Sequence, residues 1–258
     1  MPDIAYWKSG KGKPLVLLPG FGETKEMWAD FARPLSDRYE VWCPDLPGFG
    51  ESKAAEAGFS LRTVAQFLGQ WLQQQGIPNA CLLGHSLGGY LVLEMAALPN
   101  LSLSAIGLFH STAFADTPTK KESRDQTVAF LEKHGVGPFI RSFVPPLFAA
   151  ENREACRQAI ENLVARGLLH PKESLIGYTR AMRDRNEHLD TLRKFSGPKL
   201  MICGDKDPAV PLDAGLKHQQ AITDFNILQN CGHMGMFEKQ AETQDILLRF
   251  LNALSLNR

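Results

Sequence analysis

The sequence has little that would place the protein at a membrane or on a nucleic acid. No apolar run approaches the roughly 18 residues that span a bilayer, and residues 1–8 show no basic stretch followed by an apolar one. The 28 basic residues are balanced by 28 acidic residues, so no net charge attracts a polyanion. We therefore expect a cytoplasmic protein that binds neither nucleic acid nor membrane.

Metal-ligand and cofactor patterns are missing as well. No cysteines or histidines are paired at the spacing of a zinc site. The glycine-rich segment 45–50 lacks the Gly-Lys-Ser/Thr that completes a phosphate-binding loop. The five cysteines are scattered and odd in number, as reduced thiols are. We expect no metal and no cofactor.

What the sequence does contain is an alternation of short apolar runs with amphipathic stretches. Alternation of this kind predicts an α/β fold, with a mostly parallel sheet and helices on both of its faces. The predicted strands lie at 4–8 (an edge strand), 15–18, 39–44, 81–84, 105–109, 197–203 and 224–228. The predicted helices lie at 27–36, 61–75, after residue 86, at 212–218 and at 240–254.

Residues 112–196 interrupt the alternation. Four amphipathic stretches there, 121–134, 137–148, 151–166 and 171–185, predict helices. We expect a helical cap (lid) over a core made of residues 1–111 and 197–258. The cap has a small excess of basic residues, which favours a solvated surface, with docking of an acidic carrier protein as the alternative. Two roles are left as alternatives for four aromatic residues of the cap, lining a pocket or packing within the cap. They are Phe139, Phe143, Phe148 and Tyr178.

The segment Gly84-His85-Ser86-Leu87-Gly88 joins an apolar strand to a helix and fits the pattern G-x-S-x-G. A reversal this tight strains the serine backbone and directs its hydroxyl out of the sheet. A Cβ at either glycine would collide with the other arm of the turn. The simpler alternative is a glycine-rich turn whose serine caps the helix.

A serine nucleophile needs a base to take its proton and a carboxylate to orient that base. His233 follows the last strand in a short glycine-bearing loop, so we predict that it is the base. The alternative is His110, which ends a strand at the same edge of the sheet. For the acid we favour Asp207 over Asp205, because Asp207 lies far enough into its loop to turn back toward the histidine.

The other histidines are predicted to lie elsewhere. The side chain of His85 should point away from the serine, and presumed surface helices carry the remaining four, His134, His170, His188 and His218.

Acyl transfer also requires two donors for the oxyanion. We predict the backbone N–H of Leu87, at the start of a helix, and that of Phe21, in the loop after the first buried strand. For Phe21 the alternative is an ordinary turn with an aromatic ring packed against the core.

With these motifs in order, the sequence resembles the capped single-domain serine esterases of the α/β-hydrolase family. The motifs that carry the resemblance are residues 18–22, 45–50, 84–89, 204–211 and 232–233. The first half is also similar to the pimeloyl-carrier-protein methyl ester esterases. The family's first loop usually reads His-Gly, whereas this sequence has Pro19 before Gly20.

The resemblance implies hydrolysis of a small or medium carboxylic ester through an acyl-enzyme, with Ser86, Asp207 and His233 as the triad. The partner expected is therefore a small-molecule ester. Two alternatives share the fold. One is a hydrolase of carbon–carbon bonds, and the other is a non-catalytic receptor for a small molecule that retains the triad.

Overall fold

The computed structural model describes residues 3–53 and 60–256, the side chains of the last two excepted. One seven-stranded sheet organises the chain, in the order β1-β3-β2-β4-β5-β6-β7. β1 is antiparallel to β3, and all other neighbouring strands are parallel. The strands are β1 (Tyr6–Ser9), β2 (Lys13–Leu18), β3 (Tyr39–Pro44), β4 (Ala80–His85), β5 (Leu103–Phe109), β6 (Lys199–Gly204) and β7 (Asp224–Leu228). The mostly parallel α/β sheet is thereby confirmed.

The helices cover the two faces of the sheet and fill the connection between β5 and β6. They are α1 (Ala29–Ala32), α2 (Leu61–Gln74), α3 (Leu87–Ala96), α4 (Pro118–His134), α5 (Val136–Phe143), α6 (Arg157–Gly167), α7 (Lys172–Arg183), α8 (Leu189–Lys194), α9 (Leu212–Leu216), α10 (Gly235–Glu238) and α11 (Gln240–Leu256). Short 3₁₀ turns lie at Lys25–Trp28, Pro145–Leu147, Ala150–Asn152 and Gln219–Ala221.

The central strands are buried on both faces. In β2, residues 15–18 have no exposed surface, and β4 is buried along its whole length. Their unbroken apolar runs are what a strand between two helical layers requires. The helix predicted at 61–75 is confirmed, and Ser60 Oγ caps it by accepting the N–H of Thr63 at 3.0 Å.

Prolines shorten two of the predicted helices. The one expected at 27–36 becomes a 3₁₀ turn followed by the single turn of α1, because Pro34 has no N–H to extend the helix. The one expected at 137–148 ends at Phe143, ahead of Pro145 and Pro146.

Helices α4–α8, between β5 and β6, are called the inserted helices here. α4 and α7 pack against each other, and α5 packs against both α4 and α6. The helix expected at 151–166 starts only at Arg157. Helix α8 was not predicted from the sequence, because six residues are too few to show a helical period.

Within the described residues, no helix is both long and apolar enough to cross a bilayer. All five cysteines are free thiols, and four of them are buried. The carboxyl ends of β2, β4, β5, β6 and β7 lie at one edge of the sheet, where the loops discussed next converge.

Candidate active site

Ser86 occupies a strained turn between β4 and α3. Its backbone has φ 50° and ψ −114°, a conformation that costs a residue with a side chain about 1–3 kcal/mol. The turn is bonded to the end of β5, since the N–H of Ser86 donates to the carbonyl of Phe109 at 2.9 Å. The strain predicted from the glycine pattern is present at this serine.

The two glycines of the turn are constrained by different neighbours. A Cβ at Gly84 would lie 2.2 Å from the backbone carbonyl of Gly88, which is the predicted collision with the other arm. A Cβ at Gly88 would instead lie 2.5 Å from the carbonyl oxygen of Leu18, at the end of β2. The collision predicted for Gly88 was therefore wrong, because the end of β2 lies closer to its would-be Cβ than the other arm of the turn does.

Asp207 and His233 are in direct contact although they lie on different loops. His233 Nδ1 is 2.9 Å from Asp207 Oδ1 and 2.8 Å from Oδ2. Oδ1 also accepts the N–H groups of Ala209 and Val210, at 2.8 and 2.9 Å. Burial alone would raise the pKa of Asp207, but its charge interaction with His233 and the hydrogen bonds from two histidines hold that pKa well below its usual range.

This contact fixes the tautomer of His233. A carboxylate can only accept hydrogen bonds, so the proton on the neutral imidazole of His233 must be on Nδ1. Nε2 then carries the lone pair and is available to accept a proton. The structure thus brings together the two residues predicted as acid and base.

His110 is a second histidine on the same carboxylate. Its Nδ1 lies 3.0 Å from Asp207 Oδ2, and its Nε2 accepts the N–H of Gly235 at 3.3 Å. The ring is completely buried, and burial lowers the pKa of His110 to about 4 against the opposing hydrogen bond. His110 is therefore neutral at pH 7, and it contacts the same oxygen of Asp207 that His233 contacts.

Glu23 and His85 form a buried pair beneath the turn. Glu23 Oε2 lies 2.9 Å from His85 Nδ1 and also accepts the N–H of Gly20. Burial would lower the pKa of His85, but the charge of Glu23 and hydrogen bonds to Glu23 and His233 raise it above its ordinary value. Neither residue was expected from the sequence to have a function at the site. A signal for Glu23 was present in the sequence, since an acidic residue follows Gly20 by three positions. The same loop has Pro19 in place of the family's usual histidine.

Ser86 and His233 line one narrow cavity of about 60 Å³. The other lining residues are Phe21, Glu23, Tyr90, Arg124, Phe143, Leu147, Met182, Ala209 and Val210. Within the described residues Ser86 Oγ makes no hydrogen bond, so the structure brings the serine to the same cavity as the histidine without bonding the two.

Of the four aromatic residues considered for a pocket lining, Phe143 faces this cavity. Phe139 is buried and stacks on Phe143, with ring centroids 5.2 Å apart. Tyr178 donates its hydroxyl to the carbonyl of Pro47 at 2.9 Å, and Phe148 packs near Phe237. These three contribute to packing.

The two predicted oxyanion donors lie beside the serine. Leu87 is the first residue of α3, and Phe21 lines the cavity. Neither backbone N–H is hydrogen-bonded to another residue of the described ranges. The side chain of Phe21 packs edge-on against Phe49 and Phe143, at centroid distances of 6.1 and 5.6 Å. The ring is therefore packed as in the alternative, and oxyanion binding by its N–H stays a prediction.

Asp205 contacts the histidine loop, and two histidines differ from expectation. Asp205 Oδ1 accepts the N–H of Cys231 at 3.0 Å, so it braces that loop. His170 and His218 are buried, not on surface helices: His170 Nε2 donates to the carbonyl of Gly22 at 3.1 Å, and His218 Nε2 accepts the N–H of Ala113 at 3.0 Å.

Glu238 holds the histidine loop in place. Its carboxylate accepts the N–H groups of Gly232 and Met234, at 3.0 Å each, on either side of His233. It also accepts the N–H of Ala149 at 2.9 Å. The N–H of His233 donates to the carbonyl of Leu147 at 2.7 Å. The loop is thus bonded to the chain that follows α5.

His110, Asp207 and His233 also form a group with the spacing of metal ligands, one ligand atom of each lying within 4.8 Å of the others. Both Nδ1 atoms, however, are at hydrogen-bond distance from the carboxylate. Proton sharing accounts for each of these contacts, and we interpret the group as hydrogen-bonded.

Known proteins similar to this chain act on different substrates. It is 28% identical to a pimeloyl-[acyl-carrier protein] methyl ester esterase of Vibrio cholerae, over 96% of this chain and 98% of that protein. It is also 28% identical to a 2-hydroxy-6-oxononadienedioate/2-hydroxy-6-oxononatrienedioate hydrolase of Paraburkholderia phymatum, over 96% of this chain and 90% of that protein.

A third relative is longer than this chain. The dihydrolipoyllysine-residue acetyltransferase component of an acetoin cleaving system from Cupriavidus necator is 25% identical over 96% of this chain, which spans 66% of that protein. Among solved structures, a thermophilic esterase from Thermogutta terrifontis superposes with a TM-score of 0.91 at 25% identity, covering 97% of this chain and 93% of the other.

The family model for the α/β hydrolase fold matches residues 13–240, nearly the whole chain. The seven-stranded, mostly parallel sheet with its helices agrees with that match. The chain belongs to the α/β-hydrolase family.

Proposed function

We propose that the protein is a serine hydrolase that cleaves a small or medium carboxylic ester through an acyl-enzyme. Ser86 is the nucleophile, His233 the general base and acid, and Asp207 the group that orients His233. The N–H groups of Phe21 and Leu87 bind the oxyanion. The observation that carries the proposal is one cavity lined by a serine on a strained turn and by a histidine whose Nδ1 is bonded to a buried carboxylate.

In the acylation step, Ser86 Oγ attacks the carbonyl carbon of the ester as its proton moves to His233 Nε2. The charge that forms on the imidazole is stabilised by Asp207, which stays ionised because its pKa is low. The carbonyl oxygen becomes negative and accepts the two backbone N–H groups. His233 then gives its proton to the departing alcohol.

In the deacylation step, water attacks the acyl group on Ser86 and His233 takes a proton from that water. The tetrahedral intermediate collapses, the carboxylic acid leaves, and the proton returns to Ser86 Oγ. No cofactor or metal is invoked in either step.

The size of the cavity supports a short acyl group. Pockets for drug-sized ligands are about 300–1,000 Å³, whereas this one is about 60 Å³. In this proposal residues 112–196 act as a cap on the core formed by 1–111 and 197–258. The enzyme acts in the cytoplasm on a small-molecule ester. In the alternative form of this proposal, the substrate is longer because it is attached to an acidic carrier protein that docks on the cap.

The test is hydrolysis of 4-nitrophenyl acetate, butyrate and octanoate by the parent and by Ser86→Ala. We expect kcat to fall by about 10³-fold or more in the variant, and acetate or butyrate to be preferred to octanoate. Ser123→Ala, an exposed serine on α4, is the matched control and should equal the parent. Equal rates for the parent and Ser86→Ala would rule out the mechanism.

A carbon–carbon bond hydrolase is the second candidate, favoured by the similarity to the hydrolase from Paraburkholderia phymatum. Such an enzyme would turn over a vinylogous diketone well and 4-nitrophenyl esters poorly. A non-catalytic receptor is the third candidate, and it would not react with a fluorophosphonate probe. Rapid labelling of the parent, with no labelling of Ser86→Ala, would exclude the receptor.

A further inference from the structure

Arg124, on helix α4, is a cation in the wall of the cavity that holds Ser86 and His233. Its Nε donates to Asp116 Oδ2 at 3.2 Å, which fixes the plane of the guanidinium. Its two terminal nitrogens make no hydrogen bond within the described residues. The side chain is 21% exposed, so these donors are partly withdrawn from solvent.

The carboxylate that holds Arg124 is shared with a second arginine. Arg185 Nη1 lies 2.7 Å from Asp116 Oδ1, and both side chains of this ion pair are almost fully buried. Arg185 uses its other contacts for structure: Nε donates to the carbonyl of Phe114 at 3.1 Å, and the guanidinium lies 4.1 Å from the ring centroid of Tyr90. Asp116 therefore neutralises only one of the two arginines.

Lys120 adds a third positive charge to this wall. Its Nζ donates to the carbonyl of Ala209, a lining residue, at 2.7 Å. Burial lowers the pKa of Lys120 from its ordinary value of 10.5, and the positive charge of Arg124 lowers it further. The group Asp116, Lys120, Arg124 and Arg185 thus carries a surplus of positive charge on one side of the cavity.

The negative groups near the cavity are already paired with other partners. The carboxylate of Glu23 is bonded to His85 and to the N–H of Gly20. Asp207 is bonded to two histidines and two backbone N–H groups. Neither carboxylate is bonded to Arg124.

We propose that Arg124 binds a carboxylate carried by the ester substrate, so that the preferred substrates are monoanionic esters such as half-esters of short dicarboxylic acids. A guanidinium whose Nε is anchored and whose terminal N–H groups are free matches the two oxygens of a carboxylate. This inference rests on the proposed ester hydrolysis and adds a substrate class to it.

The experiment compares esters of equal length with and without the charge. Mono-4-nitrophenyl glutarate against 4-nitrophenyl valerate tests a carboxylate on the acyl side, and 4-acetoxybenzoate against 4-acetoxybenzamide tests one on the alcohol side. For at least one pair, the ratio of kcat/KM should favour the anionic ester in the parent. Arg124→Gln should lower that ratio about 10- to 100-fold, the usual effect of losing a hydrogen bond between charged groups.

Two matched variants control for folding and for bulk charge. Arg141→Gln, on the exposed surface of α5, should keep the parental ratio. Arg124→Lys, which keeps the charge but not the planar fork, should recover part of the preference. The inference is overturned if neither pair favours the anionic ester in the parent, or if Arg124→Gln keeps the parental ratio.

A measurement on the parent alone covers the case in which Arg124→Gln does not fold. Glutarate should inhibit hydrolysis of 4-nitrophenyl acetate competitively, and glutaramide at the same concentration should inhibit at least tenfold less. Equal inhibition by the two contradicts the carboxylate site. Since hydrolysis of the neutral ester must still depend on Ser86, failure of the anion site and failure of the proposed function give different results.

Discussion

His85 Nε2 lies 2.9 Å from the backbone carbonyl oxygen of His233. A carbonyl can only accept, so this nitrogen carries a hydrogen. The other ring nitrogen of His85 is bonded to Glu23, which also holds Gly20. The residue before the proposed nucleophile therefore joins the first loop to the histidine loop, and the proposed oxyanion donor, nucleophile and base are positioned by one buried chain of hydrogen bonds.

Glu23→Ala should lower kcat about 100-fold with little change in KM, because the loop carrying the N–H of Phe21 loses its anchor at Gly20. Glu23→Gln should retain most of the activity. Its amide oxygen, in the place of Oε2, can still accept the N–H of Gly20, which is the bond that anchors the loop. Kinetics on 4-nitrophenyl acetate measure the effect, and equal losses in the two variants would contradict a positioning function.

Asp207→Asn should reduce kcat/KM by about 10³- to 10⁴-fold, because an amide no longer holds His233 in the required tautomer or stabilises its charge. Asp205→Asn should cost less than about tenfold, since its Oδ1 can still accept the N–H of Cys231. Both variants are compared on the same ester. If the order of the two losses were reversed, the acid would have to be reassigned to Asp205.

His110 should make the protein less stable in acid. Its pKa is about 4 in the folded protein against an ordinary value of 6.5, so the unfolded chain binds the proton more tightly and stability falls as pH decreases from 6.5 toward 4. Between pH 7 and pH 5 this amounts to about 2 kcal/mol. Urea unfolding at the two pH values measures the loss, which should be smaller by that amount in His110→Gln.

Two neighbours of His110 affect stability outside the range from pH 6.5 to pH 4. The pKa of Asp207 is lowered, so its contribution is lost only at still lower pH, near and below its ordinary value of 3.8. The pKa of His85 is raised, so its contribution is lost as pH rises above 6.5. An identical pH dependence of stability in the parent and His110→Gln would show that His110 is not the group responsible.

Gly84→Ala should lower Tm by about 10 °C, because the new Cβ would lie 2.2 Å from backbone atoms of Gly88, which cannot yield as a side chain would. Gly76→Ala is the matched control. Gly76 has φ +65° but no atom within 4 Å of its would-be Cβ, so the change should cost only the backbone strain of about 1–2 kcal/mol. Similar Tm values for the two variants would refute the steric explanation.

The sheet could be predicted because each buried strand is an unbroken apolar run, and a run such as residues 15–18 has few other places to lie. Helix ends were predicted well where a cap or a glycine marks them, as at Ser60, and poorly where the break depends on proline, as at Pro34 and Pro145. Helix α8 has neither signal.

The contact of Asp207 with His233 could be anticipated because both residues follow strands that end at the same edge of the sheet. The position of His110 at this edge could be anticipated too, but its contact with Asp207 and the pairing of Glu23 with His85 could not. Their function depends on which of several buried polar groups meet in space, and a single sequence shows neither the distances nor the burial. Arg124 could not be singled out from the other basic residues either, because only the fold shows that it lines the same cavity as Ser86.

The bonds from Glu238 and Leu147 limit how an acyl chain longer than the present cavity could be admitted. Moving the segment 147–152 outward would either break its hydrogen bonds to the histidine loop or, if they held, move His233 away from Ser86. An entrance that leaves His233 in place must therefore widen on the side of Phe143 and α4. Residues on that side will determine how bulky an ester the cavity accepts.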